Sequence, residues 1–192
     1  PILKRNNNLK YMKNKEKLIE RAIIFAQEKH NGQLRRDGSP YITHPLRVSG
    51  IVNNFKKSHK IKELIAAAIL HDTLEDTDTG ISELRENFGE LITLLVVELT
   101  SDKFKSNCLG KANYLSEKMG SSKKISNWGL MIKLADRLDN ISDLNMLQDK
   151  SFVERYKKET EEIIINLEKN RQLSKTHKSI ISEIKKKLKE LN

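Results

Sequence analysis

The 192-residue chain has one cysteine, three prolines, eight glycines and only 5% aromatic residues. A single thiol, Cys108, excludes a disulfide framework and a cysteine-based zinc or iron–sulfur site. It lies in a polar stretch with no base beside it, so it is not expected to act as a nucleophile. So little proline and glycine excludes collagen-like and proline-rich disordered chains. With few aromatics, the core must be built mainly of Leu, Ile, Ala and Val. No apolar run reaches membrane-spanning length and no signal-peptide core is visible, which predicts a soluble, cytoplasmic protein with no membrane partner. Period-two alternation is scarce and no internal repeat is found, so neither a sheet nor a solenoid is expected.

What is abundant is charge and helical periodicity. Lys+Arg number 36 against 26 Asp+Glu, a formal net charge of +10 that favours anionic partners. Residues 1–12 read as a polar, basic tail, with Met12 an alternative start. Residues 13–192 read as one all-α domain. Leu18, Ala22, Phe25 and Ala26 share one helical face, and Gly32 supplies the stop. Residues 35–40 form a loop, and Thr43-His44-Pro45 opens a second helix. Ile61 to Leu70 is almost wholly apolar, marking the most buried helix. Two short helices are expected on either side of Gly89, over 82–88 and 90–99. The Ser-, Lys- and Asn-rich stretch 101–127 reads as a flexible excursion with a short helix near 111–118. Helices over 128–147, 152–168 and 178–191 complete the chain. The lysine run 185–187 shares its helix with Ile180, Ile181, Ile184 and Leu188, so it reads as a solvated face. With no zinc-finger, RRM or KH signature present, a nucleic-acid partner is not expected.

The chemistry concentrates where apolar helices meet ionisable groups. The buried-type helix 61–70 runs straight into His71-Asp72, with Glu75 and Asp76 one turn on. Asp136 interrupts the apolar helix that carries Leu130, Leu134, Leu138 and Ile141, and Asn140 follows on the same face. Taken singly, each has an ordinary explanation: His44 as a helix-start or core histidine, Glu75-Asp76 as a solvated acidic turn, Asp136 as a partner of Arg137. Together, so much carboxylate on buried helices is costly unless a cation neutralises it. Imidazole and carboxylate from separate helices suit a divalent metal in a helical bundle. His30, His59 and His177 lack such company and are assigned to helix ends and the surface.

Three stretches carry a more specific resemblance: 32–45 (GQLRRDGSPYITHP), 66–77 (AAAILHDTLEDT) and 132–140 (IKLADRLDN). In order and spacing they resemble the motifs of RelA/SpoT-type HD-domain hydrolases, over about residues 17–170. The chain ends at Asn192 without a following synthetase domain, which makes it similar to the stand-alone small alarmone hydrolases. The resemblance implies a single HD-domain helical bundle with a metal site between helices. His44, His71, Asp72 and Asp136 would hold one Mn2+ ion per chain, and Glu75 and Asp76 would position or deprotonate the attacking water. Arg35, Arg36, Lys103, Asn140 and Tyr156 would contact the nucleotide. The implied reaction removes the 3′-pyrophosphate of ppGpp or pppGpp, leaving GDP or GTP. The alternative is a nucleotide phosphatase acting on NADPH or a related compound. Residues 104–127 match none of the motifs.

Overall fold

The computed structural model describes residues 17–191, so the expected tail 1–12 and the alternative start at Met12 lie outside the described residues. The described residues are helical apart from connecting turns and one isolated bridge, Leu34 to Pro40. The first helix, α1, covers residues 17–29, with Ala22 and Ala26 buried. Gly32 follows with a positive φ of 78°, a conformation that ends the chain's helical course at little steric cost. Residues 33–41 then form a tight hairpin, closed by hydrogen bonds from Arg35 N to Ser39 O (2.8 Å) and from Tyr41 N to Gln33 O (3.0 Å). Asp37 accepts from the Ser39 backbone and hydroxyl inside this turn.

The core is a stack of α2 (Thr43–Phe55), α3 (Ile61–Leu70), α5 (Ile81–Leu99) and α8 (Asn127–Ser142). As its composition predicts, α3 is the heart of the stack: Leu64, Ala66, Ala67, Ala68 and Leu70 are fully buried between α2 and α5. Its alanines let the neighbouring helices approach closely. A single helical turn, α4 (Thr73–Asp76), follows at once. Gly89 interrupts α5 with φ 78° and ψ 172°, so the two expected helices are present but join across a kink. The expected face of α8 is buried through Leu130, Leu134, Leu138 and Ile141, although the helix stops at Ser142 and gives way to a 3-10 turn, Leu144–Met146.

The stretch 101–127 contains the short helix expected near 111–118, but it is more ordered than a flexible excursion. It forms two helices, α6 (Lys103–Leu109) and α7 (Lys111–Gly120), hinged at Gly110. Asp102 caps α6 by accepting from Lys105 N, and α7 buries Tyr114, Leu115 and Met119 while packing against α9 (Lys150–Asn170). α10 (Lys175–Glu190) returns to α8 and buries Ile180, Ile181, Ile184 and Leu188, with Lys185 and Lys186 outward. No described helix is long and apolar enough to cross a membrane.

The helix-end placement holds for His30 and His177, but neither lies on the surface. His59 is exposed, but His30 and His177 are buried at 3% and 2% exposure, because each ring has a polar partner inside the fold. His177 Nε2 lies 2.9 Å from the Asn127 carbonyl, and His30 Nδ1 lies 2.8 Å from Gln33 Oε1.

Arg171, at the end of α9, fastens this half together. Its guanidinium donates to Met119 O (2.9 Å), Ile125 O (3.0 Å) and Asn127 Oδ1 (3.0 Å), and more weakly to Ser121 O. Arg171→Lys keeps the charge but cannot match this fan of acceptors. The expected cost is about 2–3 kcal/mol, read as a fall in Tm of roughly 5–10 °C with helical circular dichroism retained. An unchanged Tm would show that the clamp is dispensable.

Candidate metal centre

Three parts of the chain converge at the buried end of α3. The first turn of α2 supplies His44, the α3–α4 junction supplies His71 and Asp72, and the middle of α8 supplies Asp136. His44 Nε2 lies 3.2 Å from Asp136 Oδ1 and 3.7 Å from Asp72 Oδ2. His71 Nε2 lies 3.1 Å from Asp72 Oδ2 and 3.8 Å from Asp136 Oδ1. Candidate donor atoms of His44, His71 and Asp72 all fall within 4.8 Å of one another.

The outer nitrogen of each ring is committed elsewhere, which turns the inner one toward the cluster. His71 Nδ1 donates to the Ala68 carbonyl at 2.8 Å, and His44 Nδ1 donates to Asp139 Oδ2 at 2.6 Å. Both rings are 1% exposed, and His71 Nε2 has no hydrogen-bond partner among the described residues. An orphaned, fully buried imidazole nitrogen facing two carboxylates fits a divalent cation between them. Asp139 is itself held bidentately by Arg47, at 2.7 and 2.9 Å. Arg47 also reaches Asp143 at 2.6 Å.

Electrostatics reinforce the same picture. Burial alone would lower the His71 pKa, yet the carboxylates of Asp72 and Asp136 push it up to about 10. Burial alone would raise Asp136, yet Lys133 and the two imidazoles hold its carboxyl well below the usual range. Asp72 is also held low against its burial, chiefly by His71. In the metal-free protein a proton on His71 thus offsets the two acids.

Around this cluster stand the other expected residues. Glu75 Oε2 accepts from Ser101 N at 2.8 Å, and Lys103 Nζ donates to the Glu75 carbonyl at 2.9 Å. Burial, then the charges of Asp72 and Glu75, raise the Asp76 pKa. Asn140 Nδ2 donates to Asp136 Oδ1 at 2.7 Å and its Oδ1 accepts from Arg35 at 3.1 Å, while Arg35 also donates to Asp143 at 2.9 Å. The Arg36 guanidinium lies 3.7 Å over the Phe152 ring, and Arg137 lies 4.8 Å over Tyr156. Arg137 bonds Glu159 and Thr160 on α9, whereas Asp136 has Lys133 at 3.6 Å.

Two chambers adjoin here. One, of about 180 Å³, is bounded by the His/Asp cluster, Glu75, Asp76, Lys133, Tyr156 and, from α7, Lys111, Leu115 and Met119. Lys103 sits behind the acid pair at its exposed rim. The other, of about 220 Å³, is lined by Leu34, Arg36, Leu144, Leu147 and Phe152, and shares Arg35, Tyr41, Asn140 and Tyr156 with the first. Sequence reasoning missed Tyr41, Arg47, Lys111, Lys133, Asp139 and Asp143. Only two carried a usable signal: Tyr41 and Lys133 each precede a cluster residue by three positions.

An HD-domain family profile matches residues 22–172. A guanosine-3′,5′-bis(diphosphate) 3′-pyrophosphohydrolase of Aquifex aeolicus is 40% identical over 151 residues, covering 76% of this chain and 20% of the relative. The guanosine-3′,5′-bis(diphosphate) 3′-pyrophosphohydrolase MESH1 of Danio rerio is 39% identical over 126 residues, 65% of this chain and 67% of the relative. A solved metazoan SpoT orthologue, described as hydrolysing ppGpp with a role in starvation responses, aligns with a TM-score of 0.70 at 27% identity. That alignment covers 88% of this chain and 94% of the other. The match thus spans only a fifth of the Aquifex protein and about two thirds of the Danio one.

Because a cation would need the lone pair that a proton holds on His71, binding of a divalent ion should expel about one proton at pH 7.5. Affinity should be weakest below pH 6.5 and rise as pH approaches 10, the folded-state value for His71. Isothermal titration in buffers of different ionisation enthalpy counts the protons. A pH-independent affinity would place the ion elsewhere.

Proposed function

We propose that this chain, which belongs to the HD-domain family, is a divalent-metal-dependent phosphohydrolase that removes the 3′-pyrophosphate of ppGpp or pppGpp. The reading rests above all on the convergence of two buried imidazole nitrogens with Asp72 and Asp136 beside the Glu75-Asp76 pair. The names of the Aquifex and Danio relatives support the substrate class. His44, His71, Asp72 and Asp136 would hold the ion. Mixed nitrogen and oxygen donors with no thiolate suit manganese. When bound, it supplies Lewis acidity toward a phosphoryl oxygen and toward water. The cytoplasm is the setting this reading implies.

The chain's own groups divide the remaining work. Asp76 is assigned as the proton acceptor because its carboxylate borders the chamber, and partial desolvation and its acidic neighbours raise its pKa above its ordinary value. Glu75 is pinned by the Ser101 N–H and serves to orient the water. As the water oxygen bonds to the phosphorus nearest the ribose, its proton passes to Asp76. The bond from that phosphorus to the 3′-oxygen breaks, the 3′-oxygen takes a proton from solvent to become the hydroxyl of GDP or GTP, and both phosphates are released as one pyrophosphate. Arg35, braced by Asn140 and Asp143, faces the polyphosphate at the junction of the two chambers. Arg36, Lys103 and Lys111 add positive charge at the rim. The second chamber, with its aliphatic walls and Phe152 and Tyr156, suits the purine base.

Asp76→Asn should lower kcat by roughly two to four decades with manganese content unchanged, measured on protein of known metal loading. Phosphorus NMR of the wild-type reaction on ppGpp should show pyrophosphate and GDP as first products. Orthophosphate as the first product, or hydrolysis of NADPH without ppGpp, would overturn the substrate assignment.

A further inference from the structure

The hairpin 33–41 does more than carry two arginines. Its last residue, Tyr41, extends its hydroxyl to Asp72 Oδ2 at 2.6 Å, with Asp76 Oδ2 at 3.4 Å on the other side. That Asp72 oxygen is the one facing both imidazoles. The single hydroxyl proton goes to the cluster oxygen, and the Asp76 carboxylate lies at the edge of hydrogen-bond range beside it. Burial and the neighbouring carboxylates raise the Tyr41 pKa, so the group stays a donor at any working pH. Its ring cannot swing freely. It stacks on His30 with centroids 4.7 Å apart and meets His44 edge-on at 6.0 Å.

The first residue of the hairpin grips the same acid from its backbone. Gln33 Nε2 donates to the Asp76 carbonyl at 2.8 Å, and since a carbonyl only accepts, the amide's oxygen must face His30. His30 Nδ1 therefore donates to Gln33 Oε1, leaving its Nε2 as a buried lone pair with no partner among the described residues. An unmet buried acceptor is a standing cost to the fold. A phenylalanine at position 30 would stack on Tyr41 without that penalty, but it would not orient Gln33. Local costs of this kind collect at functional sites.

We propose that Tyr41, backed by His30 and Gln33, is a positioning residue that holds the Asp76 carboxylate in register with Asp72. The hairpin grips the Asp76 carbonyl through Gln33 and the neighbouring Asp72 carboxylate through Tyr41, with the Asp76 carboxylate against the same hydroxyl, while its own turn presents Arg35 and Arg36. One rigid element thereby sets the distance between the cationic grip on the polyphosphate and the group that receives the proton. The proposal rests on the hydrolase reading for its kinetic consequence, but not for its structural one.

Tyr41→Phe keeps the ring and its stacking and removes only the hydroxyl. In metal-free protein, hydrogen exchange of the peptide covering 73–77 should quicken about tenfold, while α3 and α8 keep wild-type protection. This readout needs no substrate and no ion. With ppGpp and manganese, kcat should fall about 10- to 100-fold, with KM and metal content within about twofold of wild type. In an Asp76→Asn background the same change should cost less than about threefold, because the residue it positions is already disabled. Unchanged exchange at 73–77 would overturn the proposal, whatever the substrate proves to be. So would wild-type kcat in an active enzyme, loss of manganese in step with kcat, or full additivity with Asp76→Asn. An inactive wild type with quickened exchange would instead refute the hydrolase reading and leave the bracket standing.

Discussion

Two buried imidazoles meet two partly buried carboxylates at the end of a helix made of alkyl side chains. That arrangement is tolerable only if positive charge enters it, as protons or as a cation. Much of the neighbouring structure answers this demand. Lys133 stands one turn before Asp136 on the same helix, and the rings of His44 and His71 are each oriented by an acceptor behind them. The alanines of α3 matter for the same reason. They bring α2, α5 and α8 close enough for residues from three segments to meet at one point.

Behind the cluster, polar contacts form a continuous chain from the His/Asp cluster to the second chamber. His44 leans on Asp139, Asp139 is clasped by Arg47, Arg47 reaches Asp143, and Asp143 holds Arg35. The chain starts among buried groups at His44 and Asp139 and runs outward to the partly exposed Arg47 and Asp143. Linked polar groups of this kind depend on one another, most strongly at the buried end.

Legibility in the sequence followed the density of local signal. α3, α8 and α10 were readable because each repeats apolar residues along one face, and Gly89 was readable as a break because only a residue without Cβ takes its φ at little cost. α6 and α7 were not. Their apolar anchors are few, and α7 gains its order by packing on α9, far along the chain. The cluster residues stood out as acids on apolar helices, a conflict visible within a few positions. Arg47 and Asp139 left no such trace, since each looks ordinary until a fold joins residues 92 apart. His30 failed for a related reason: burial of a lone imidazole has no period, and its partner Gln33 lies in a turn.

The wall that α7 contributes to the metal chamber is fastened by Arg171 to three backbone carbonyls and one side-chain amide. A carbonyl is the same group whichever amino acid bears it. The fastening therefore makes no demand on the side chains at positions 119, 121 and 125, and the helix it secures is bounded at one end by a glycine hinge. The clamp thus fixes where the panel hangs, while Tyr114, Leu115 and Met119 fix how it seats in the core. Position and packing are set by different groups, so a change in the side chains facing the chamber is answered by the core and not by the clamp.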